Sequence, residues 1–284
     1  MHLRLPKLGT NIKKELLRFI SEDIQSGDIT SVLLPKKKID AKIISREEGI
    51  LAGVRFAREI FHLKGCYVRI MKKDGTRLKQ NQVILEVSGD AGIILSCERT
   101  ALNLLSRMSG IATHTSFLVS KIKKINRKTN LYSTRKTAPG LRYFDKEAVK
   151  IGGGHKHRMA LDDMVMIKDN HLTLCNSVED IIKKARKKYK QVEVEVENQR
   201  DSILAAKCGA TIIMLDNFSP VQIKKTITAL QKKKLRDKVK LEASGGINSK
   251  NIAAYAKTGV DIISIGSITN SVTGLDLSLE VYPT

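Results

Sequence analysis

The sequence contains no tryptophan, and aromatic residues make up only 4% of its 284 residues. Proteins that bind single-stranded nucleic acid stack bases on aromatic rings, so this scarcity counts against that class. No apolar run approaches the roughly 18 residues of a membrane-spanning helix. The first residues also lack the apolar stretch of a signal peptide, so we expect a cytoplasmic protein.

Cysteine is also scarce, and the four residues lie far apart without a CxxC pair: Cys66, Cys97, Cys175 and Cys208. This spacing is unlike that of a zinc site or a disulfide framework. We therefore expect reduced thiols in a cytoplasmic protein.

The formal net charge is +22, whereas 42% of the residues are hydrophobic, enough for a buried core. Much of the positive charge lies in lysine-rich segments such as 183–190 and 232–237. Both fall where we expect amphipathic helices, and a solvated helix face explains them. Nucleic-acid binding stays an alternative, because net charge alone does not decide function.

From about residue 131, short β-branched runs alternate with amphipathic stretches. The runs are 131–136, 164–170, 192–198, 211–217, 239–244 and 261–267. The stretches typical of helices are 177–189, 200–209, 220–234 and 249–259. This alternation predicts parallel strands joined by helical crossovers. About six units favour an incomplete β/α barrel, with an open doubly wound sheet as the alternative.

The first hundred or so residues follow a different pattern. Strand-like alternation in 41–53 and 65–90 is broken by turn signals such as Asp-Gly and Gly-Asp. A helix-like segment, 98–125, then leads into the repeated units. We interpret residues 1–109 as a smaller α+β domain.

Nearly every strand of the predicted barrel ends in a polar residue, although parallel strands are usually apolar because both faces are buried. These residues are Arg135 and Lys136, Lys168 and Asp169, Glu195, Asp216, Ser244, and Gly266 with Ser267. Active sites of barrels lie at the carboxyl ends of the strands, so we expect these side chains to converge there.

The segment 133–158 reads STRKTAPGLRYFDKEAVKIGGGHKHR and concentrates cationic and imidazole groups beside glycines. His155 and His157 are separated by one residue, with no further His or Cys nearby, which is a poor zinc pattern. Arginine binds carboxylates and phosphates with two parallel hydrogen bonds. The segment therefore predicts a pocket for an anion, with acidic residues opposite it for hydroxyl groups or Mg²⁺.

The run VEVEVE places Glu193, Glu195 and Glu197 on one face of a strand. An isolated sequence of this kind is typical of a half-exposed strand. In a barrel the same face points inward, where a carboxylate needs a cation, a donor or a metal ion. The candidate counter-charges are Lys168, Arg135 and Arg158.

Glycines end the last two strands, in Ser244-Gly245-Gly246 and in Ile265-Gly266-Ser267. Glycine lets the backbone approach a ligand, and the following helix, capped by Asn248 or Ser249, offers free N–H groups to a phosphate. Barrels often bind phosphate in the loops of their last two strands. Simple tight turns are the alternative.

The order of these motifs resembles the quinolinate phosphoribosyltransferase family. The resemblance rests on the following segments: EDIQSGDIT, REEGILAG, ERTALNLLSRMSGIAT, STRKTAPGLR, GGGHKHRMALDDMVMIKDNHL, VEVEVEN, MLDNFSP, LEASGGI and SIGSIT. They span almost the whole chain. One departure is Lys156, which stands where the family often has an uncharged residue, so that the roles of His155 and Lys156 stay open.

The resemblance implies an N-terminal α/β sandwich domain, residues 1–109 completed by 272–284, and an open, incomplete β/α barrel over 110–271. It implies the transfer of a phosphoribosyl group from 5-phosphoribosyl-1-pyrophosphate to quinolinate with Mg²⁺. The products are nicotinate mononucleotide, pyrophosphate and carbon dioxide, on the de novo route to NAD. It also implies at least a homodimer, in which each subunit covers the barrel of its partner.

The resemblance also implies roles for single residues. Thr134, Arg135, His157, Arg158 and Lys168 would bind quinolinate, with Arg99 supplied by the neighbouring subunit. Lys136 would face the pyrophosphate or ribose, and Glu195 and Asp216 would meet the ribose hydroxyls and Mg²⁺. The 5′-phosphate would bind at Ser244, Gly245, Gly246, Ile265, Gly266 and Ser267. Lys136, Lys168, Glu195 and Asp216 form the expected catalytic set.

The nearest alternative is a molybdenum-transport-associated paralogue with the same fold. Lys168 within IKDNH and the intact pair His157-Arg158 favour quinolinate as the substrate.

Overall fold

The computed structural model describes residues 8–175 and 177–282, which divide into two compact units. The first contains the described residues up to His114, with Lys150–Gly152 and the segment from Val272 onward. The second contains Thr115–Val149 and Gly153–Ser271. The domain bounds expected from the sequence, after residues 109 and 271, stay predictions. None of the described helices combines the length and apolarity that a bilayer span needs.

The described chain contains twelve strands and ten α-helices. The strands are β1 Lys38–Ser45, β2 Gly49–Ile50, β3 Tyr67–Ile70, β4 Arg77–Leu78, β5 Val83–Asp90, β6 Asn130–Tyr132, β7 Val165–Ile167, β8 Val192–Val196, β9 Ile212–Asp216, β10 Lys240–Ser244, β11 Ile262–Ser264 and β12 Leu277–Tyr282. The helices are α1 Thr10–Ile24, α2 Val54–Leu63, α3 Ala91–Lys123, α4 Arg142–Ile151, α5 Asp169–Thr173, α6 Val178–Lys188, α7 Gln199–Lys207, α8 Pro220–Lys232, α9 Ile252–Ala256 and α10 Ser267–Asn270. Two 3₁₀ turns cover Ser31–Leu33 and Arg236–Lys238.

The first unit is built on a four-stranded sheet in the order β12-β1-β5-β3, with antiparallel neighbours. In β1, alternate residues Ile39, Ala41 and Ile43 are buried, which is the pattern of a sheet with one covered face. Helix α2 packs against β3 and β5, and α1 packs against α2. The last strand, β12, lies at the end of the described chain and pairs with β1, so this sheet combines strands that are far apart in the sequence.

The long helix α3 begins at Ala91, seven residues before the predicted start at 98, so the predicted bound was wrong. The Gly89-Asp90 pair was interpreted as a turn. In the structure the carboxylate of Asp90 accepts a hydrogen bond from the backbone N–H of Ile93 at 3.1 Å, which caps the helix. Aspartate favours both turns and helix starts, because in both its carboxylate accepts a hydrogen bond from a free backbone N–H group.

The second unit is built on six parallel strands in the order β6-β11-β10-β9-β8-β7. All six predicted strands are present, and the first pairs with the last, β6 with β11. A doubly wound sheet reverses its order at a central strand, whereas this order runs without reversal from β7 to β11 and then adds β6 beside β11. His155 adds a parallel bridge to Tyr132 at the outer edge of β6, and β7 forms the other edge. The expectation of an open, incomplete β/α barrel is confirmed.

The helices of the second unit cover the apolar faces of the strands. Val192, Val194 and Val196 of β8 are buried, and α6 and α7 pack against this strand. Ser177 caps helix α6, because its hydroxyl accepts from two backbone N–H groups, and the lysines of this helix are exposed. The lysine-rich segment 183–190 is therefore mainly a solvated helix face. The segment 232–237 was predicted as helix, but α8 ends at Lys232.

We expect that the substitution Gly110→Ala destabilises the protein, although alanine favours helices by about 1 kcal/mol. A Cβ atom at Gly110 would lie 2.0 Å from the backbone oxygen of Thr273. The overpacking should lower the free energy of unfolding by roughly 1–3 kcal/mol in urea titrations. Ser120→Ala, at an exposed position of α3, is the control, and an unchanged stability of Gly110→Ala would contradict this packing.

Candidate functional site

A cavity of about 790 Å³, here called the strand-end cavity, lies at the carboxyl ends of the parallel strands. It gathers the predicted site residues of the second unit, except that Asp169, expected among the converging strand-end residues, is exposed at the start of α5 and does not line it. The predicted residues that line it are Thr134, Arg135, Lys136, His157, Arg158, Lys168, Glu195, Asp216, Ser244, Gly245, Gly246, Ile265, Gly266 and Ser267. Arg99 is an exposed residue of α3 in the first unit, and its role stays a prediction. The structure thus brings together polar residues that the sequence separates.

Alternate residues of the strands face this cavity, as the period of two requires. Met214 and Asp216 of β9 line it, as do Glu242 and Ser244 of β10. Glu195 of β8, which pairs with Met214, lines it as well. The last polar residue of each strand therefore lies at the rim, and the residue two positions earlier lies deeper.

The two rim carboxylates have different partners. Glu195 forms an ion pair with the ammonium group of Lys168, one of its expected counter-charges. Asp216 accepts a hydrogen bond of 2.7 Å from the side-chain amide of Asn217. Both carboxylates are partly exposed to the cavity, and this donor set fits Mg²⁺, which binds one or two protein carboxylates together with substrate phosphates.

Arg135 and Arg158, here called the basic wall, form a cationic side of the cavity. Arg158 donates to the backbone oxygen of Met164 at 3.4 Å and contacts the sulfur of Met166 at 3.2 Å. The Nε of Arg135 is buried and has no hydrogen-bond partner among the described residues. Burial, and then the charge of Arg135, lower the pKa of Arg158. Two cations so close together favour the binding of an anion between them.

Lys146 is fully buried, a position that the sequence did not reveal. Its ammonium group donates to the backbone oxygens of Lys156 and Arg158, so it fixes the segment that carries His157. Burial, followed by the nearby cations Arg142 and Arg135, lowers the pKa of Lys146 to about 8. The amphipathic pattern of α4 gives no signal for this role, because lysine is usually solvated.

His157 contacts two carboxylates that were not expected as its partners. Its Nε2 lies 3.4 Å from a carboxylate oxygen of Glu193 and 3.4 Å from one of Glu242. Burial opposes protonation of the ring, but the two carboxylates outweigh it and raise the pKa of His157. Burial also raises the pKa of Glu193. We call Glu193, His157 and Glu242 the buried triad.

The triad corrects the prediction for VEVEVE. The ion-pair partner of Glu193 is His157, whereas Lys168 pairs with Glu195. Glu197 lies beyond the end of β8 and is exposed. Glu242 was missed, although a charged residue inside the buried strand β10 is a signal that sequence reasoning can use.

His155 and Lys156 line a second cavity, of about 390 Å³, at the amino ends of the strands. The ring of His155 stacks on Tyr132 with a centroid distance of 4.8 Å, and Lys156 pairs with Glu147. The sequence left their positions open. The structure places both residues away from the lining of the strand-end cavity.

The loop after β10 needs glycine at one position. Gly245 has a φ of +90°, and a Cβ atom there would lie 2.1 Å from the side-chain oxygen of Asn217. The helix predicted to begin at Asn248 or Ser249 begins only at Ile252, so its predicted cap was wrong. Any phosphate at this loop would therefore meet the glycine backbone and Ser244 rather than that helix.

An open β/α barrel with a cationic wall and rim carboxylates defines an enzyme of the α/β class that acts on an anion. The model of the N-terminal domain of quinolinate phosphoribosyl transferase matches residues 28–109, and that of the C-terminal domain matches residues 111–280. The chain belongs to the quinolinate phosphoribosyltransferase family.

Individual relatives agree with the family match. A protein of Methanothermobacter thermautotrophicus, called a probable carboxylating nicotinate-nucleotide pyrophosphorylase, is 44% identical over 95% of this chain and 98% of its own. A protein of Bacillus subtilis with the same description is 40% identical over 95% and 93%. The solved nicotinate-nucleotide pyrophosphorylase of Francisella tularensis has a TM-score of 0.90 and 40% identity, covering 97% of this chain and 98% of its own.

We expect Lys146→Met to lower the free energy of unfolding by roughly 1–3 kcal/mol, because two buried backbone oxygens lose their donor. The loss should grow as the pH rises above about 8, the folded pKa, towards 10.5. In that range the unfolded chain binds more protons at Lys146 than the folded chain, so that the wild type gains stability with pH and the variant does not.

Urea titrations of both proteins at several pH values measure the difference between their free energies of unfolding. The contributions of the other titrating groups are shared by both proteins and largely cancel in this difference. Lys150→Met, on the same helix at an exposed position, is the control. A difference that stays constant between pH 7 and pH 10 would contradict the lowered pKa.

Proposed function

We infer that this chain transfers the phosphoribosyl group of 5-phosphoribosyl-1-pyrophosphate to quinolinate, with loss of carbon dioxide. The products are nicotinate mononucleotide and pyrophosphate, a step in NAD biosynthesis. The observation that carries this conclusion is the convergence of Arg135, Lys168, Glu195 and Asp216 in one cavity. The names of the relatives support it. They favour it over the molybdenum-associated paralogue and over nucleic-acid binding.

The basic wall binds the quinolinate dicarboxylate, with Thr134, His157 and Lys168 beside it. Arg135 and Arg158 are cations partly withdrawn from water, and a dianion between them relieves their mutual repulsion. The planar guanidinium groups also fix the orientation of the pyridine ring.

Glu195 and Asp216 bind the ribose hydroxyls, and they would hold Mg²⁺ as the cofactor. When bound there, Mg²⁺ would supply positive charge for the pyrophosphate leaving group. Lys136 faces the same group. The loops Ser244-Gly245-Gly246 and Ile265-Gly266-Ser267 bind the 5′-phosphate through backbone N–H groups and hydroxyls.

The reaction requires position and charge rather than a nucleophilic side chain. Departure of pyrophosphate leaves positive charge on the ribose ring, which the carboxylates of Glu195 and Asp216 stabilise. The oriented pyridine nitrogen then attacks the anomeric carbon. The resulting pyridinium stabilises the electron pair that stays on the adjacent ring carbon when the carboxylate leaves as carbon dioxide, and that carbon then takes up a proton from water.

We further propose a homo-oligomer of at least two subunits, in which Arg99 of one subunit completes the site of its partner. The exposure of Arg99 on α3 is consistent with a contact outside its own chain. We place the reaction in the cytoplasm, in keeping with four cysteines that are free thiols.

The reaction is tested with quinolinate, phosphoribosyl pyrophosphate and Mg²⁺, by following carbon dioxide and nicotinate mononucleotide. We expect turnover by the wild type. Arg135→Ala should lose about 2–5 kcal/mol of transition-state binding, because a partner charge is left without its cation. The variant also excludes a contaminating enzyme as the source of activity. No turnover by a folded wild type would reject the function.

The shared site is tested by mixing Arg99→Ala with Arg135→Ala, each inactive alone. If Arg99 acts in the partner's site, a mixed dimer holds one intact site, and we expect up to about a quarter of wild-type activity per chain after random exchange. Exchange is followed with differently tagged chains. Demonstrated heterodimers without recovered activity would show that Arg99 acts within its own chain.

A further inference from the structure

Two carboxylates and one imidazole meet inside the barrel, one step below the rim of the strand-end cavity. Glu193 and Glu242 are 0% exposed. They precede the rim residues Glu195 and Ser244 by two positions on the same strand faces. The four oxygens of Glu193 and Glu242 have no hydrogen-bond partner within the described part of the chain. Their only ion-pair contact within the described part of the chain is Nε2 of His157, at 3.4 Å.

Stability does not explain why this charge is buried. Replacement of buried ionic groups by apolar residues is often neutral or stabilising. The neighbouring strands carry methionine at the paired positions, Met166 beside Glu193 and Met214 beside Glu242, so apolar side chains fit at this level of the barrel. The two carboxylates therefore have a task that methionine cannot perform, and their common contact is His157.

His157 is constrained on every side. Its backbone has a φ of +54°, a left-handed conformation that a residue with a Cβ atom adopts only when its surroundings impose it. Nδ1 lies 2.8 Å from the backbone nitrogen of Arg158. Nε2 faces both carboxylates. Lys146 binds the backbone oxygens on either side of His157.

We propose that Glu193 and Glu242 are positioning residues, which fix the imidazole of His157 and, with it, the segment that carries Arg158 of the basic wall. The proposal rests on the proposed function, since it assigns quinolinate to this wall. The carboxylates hold the Nε2 proton and thereby fix the plane of the ring beside Arg158.

This arrangement predicts a selective defect. Arg158 belongs to the wall that binds the dicarboxylate, whereas Glu195, Asp216 and Ser244 face the phosphoribosyl substrate. Loss of the two carboxylates should therefore weaken quinolinate binding and leave the affinity for phosphoribosyl pyrophosphate unchanged.

The test compares the full-length wild type with Glu193→Gln/Glu242→Gln, which preserves shape and removes both charges. We expect KM for quinolinate to rise at least tenfold, about 1.4 kcal/mol, with KM for phosphoribosyl pyrophosphate within about twofold. The thermal midpoint should stay or rise, because buried charge is removed. Glu242→Asp keeps the charge and should recover part of the affinity. Glu197→Gln, which changes the exposed glutamate after β8, is the matched control.

Three outcomes would overturn the proposal. The first is an unchanged KM for quinolinate. The second is a lower thermal midpoint with equal loss for both substrates, which marks a merely structural role. The third is a stoichiometric divalent metal in the wild type that the double variant lacks, which would make the triad a metal site. Calorimetric binding of quinolinate to both proteins decides the proposal even if the wild type shows no turnover, an outcome that rejects the proposed function alone.

Discussion

The pairing of β6 with β11 is the contact on which the functional site depends. These strands are the first and last of the parallel set, and their contact curls the sheet so that all the carboxyl ends face one space. A hydrogen bond of 2.7 Å from the hydroxyl of Thr269 to the backbone oxygen of Lys136 continues this contact into the loops. Without the pairing of β6 with β11, Arg135 and Lys136 after β6 would lie far from the loop at Gly266 after β11.

The curled sheet imposes a charge problem, because its inner face carries ionisable groups at two levels. At the rim, Glu195 and Asp216 are partly exposed, and solvent and substrate share in their stabilisation. One level deeper, Glu193 and Glu242 have only the imidazole of His157 within ion-pair distance in the described chain. Burial of the carboxylates of Glu193 and Glu242 costs free energy. The proposed role in positioning His157 for binding accounts for their presence.

The site also separates two kinds of chemistry in one cavity. Cations on the segment after β6 and on the segment around His157 attract a dianion, while carboxylates at the ends of β8 and β9 suit hydroxyls and a cation. The buried ammonium group of Lys146 donates to the backbone oxygens of Lys156 and Arg158, and it thereby links α4 to the segment around His157. Position, rather than covalent reactivity, is what the protein supplies.

The sequence by itself determined the existence of the six parallel strands, the open barrel and the polar residues at the strand ends. Period-two alternation and strand–helix rhythm are local properties, and the rim residues follow directly from them. Its motifs also identified the family. Local signals were ambiguous at two positions. Asp90 reads as a turn residue but caps helix α3, and Asn248 reads as a helix cap but lies in the loop before α9, which begins at Ile252.

Only the tertiary structure decided which charges meet. His157, Glu193 and Glu242 come from three separate strands or strand-like segments, and no spacing along the chain links them. The burial of Lys146 is likewise a result of packing, because its own helix has an ordinary amphipathic pattern. Partners of buried charges are set by the curvature of the sheet, and curvature arises from long-range strand pairing that local sequence does not encode.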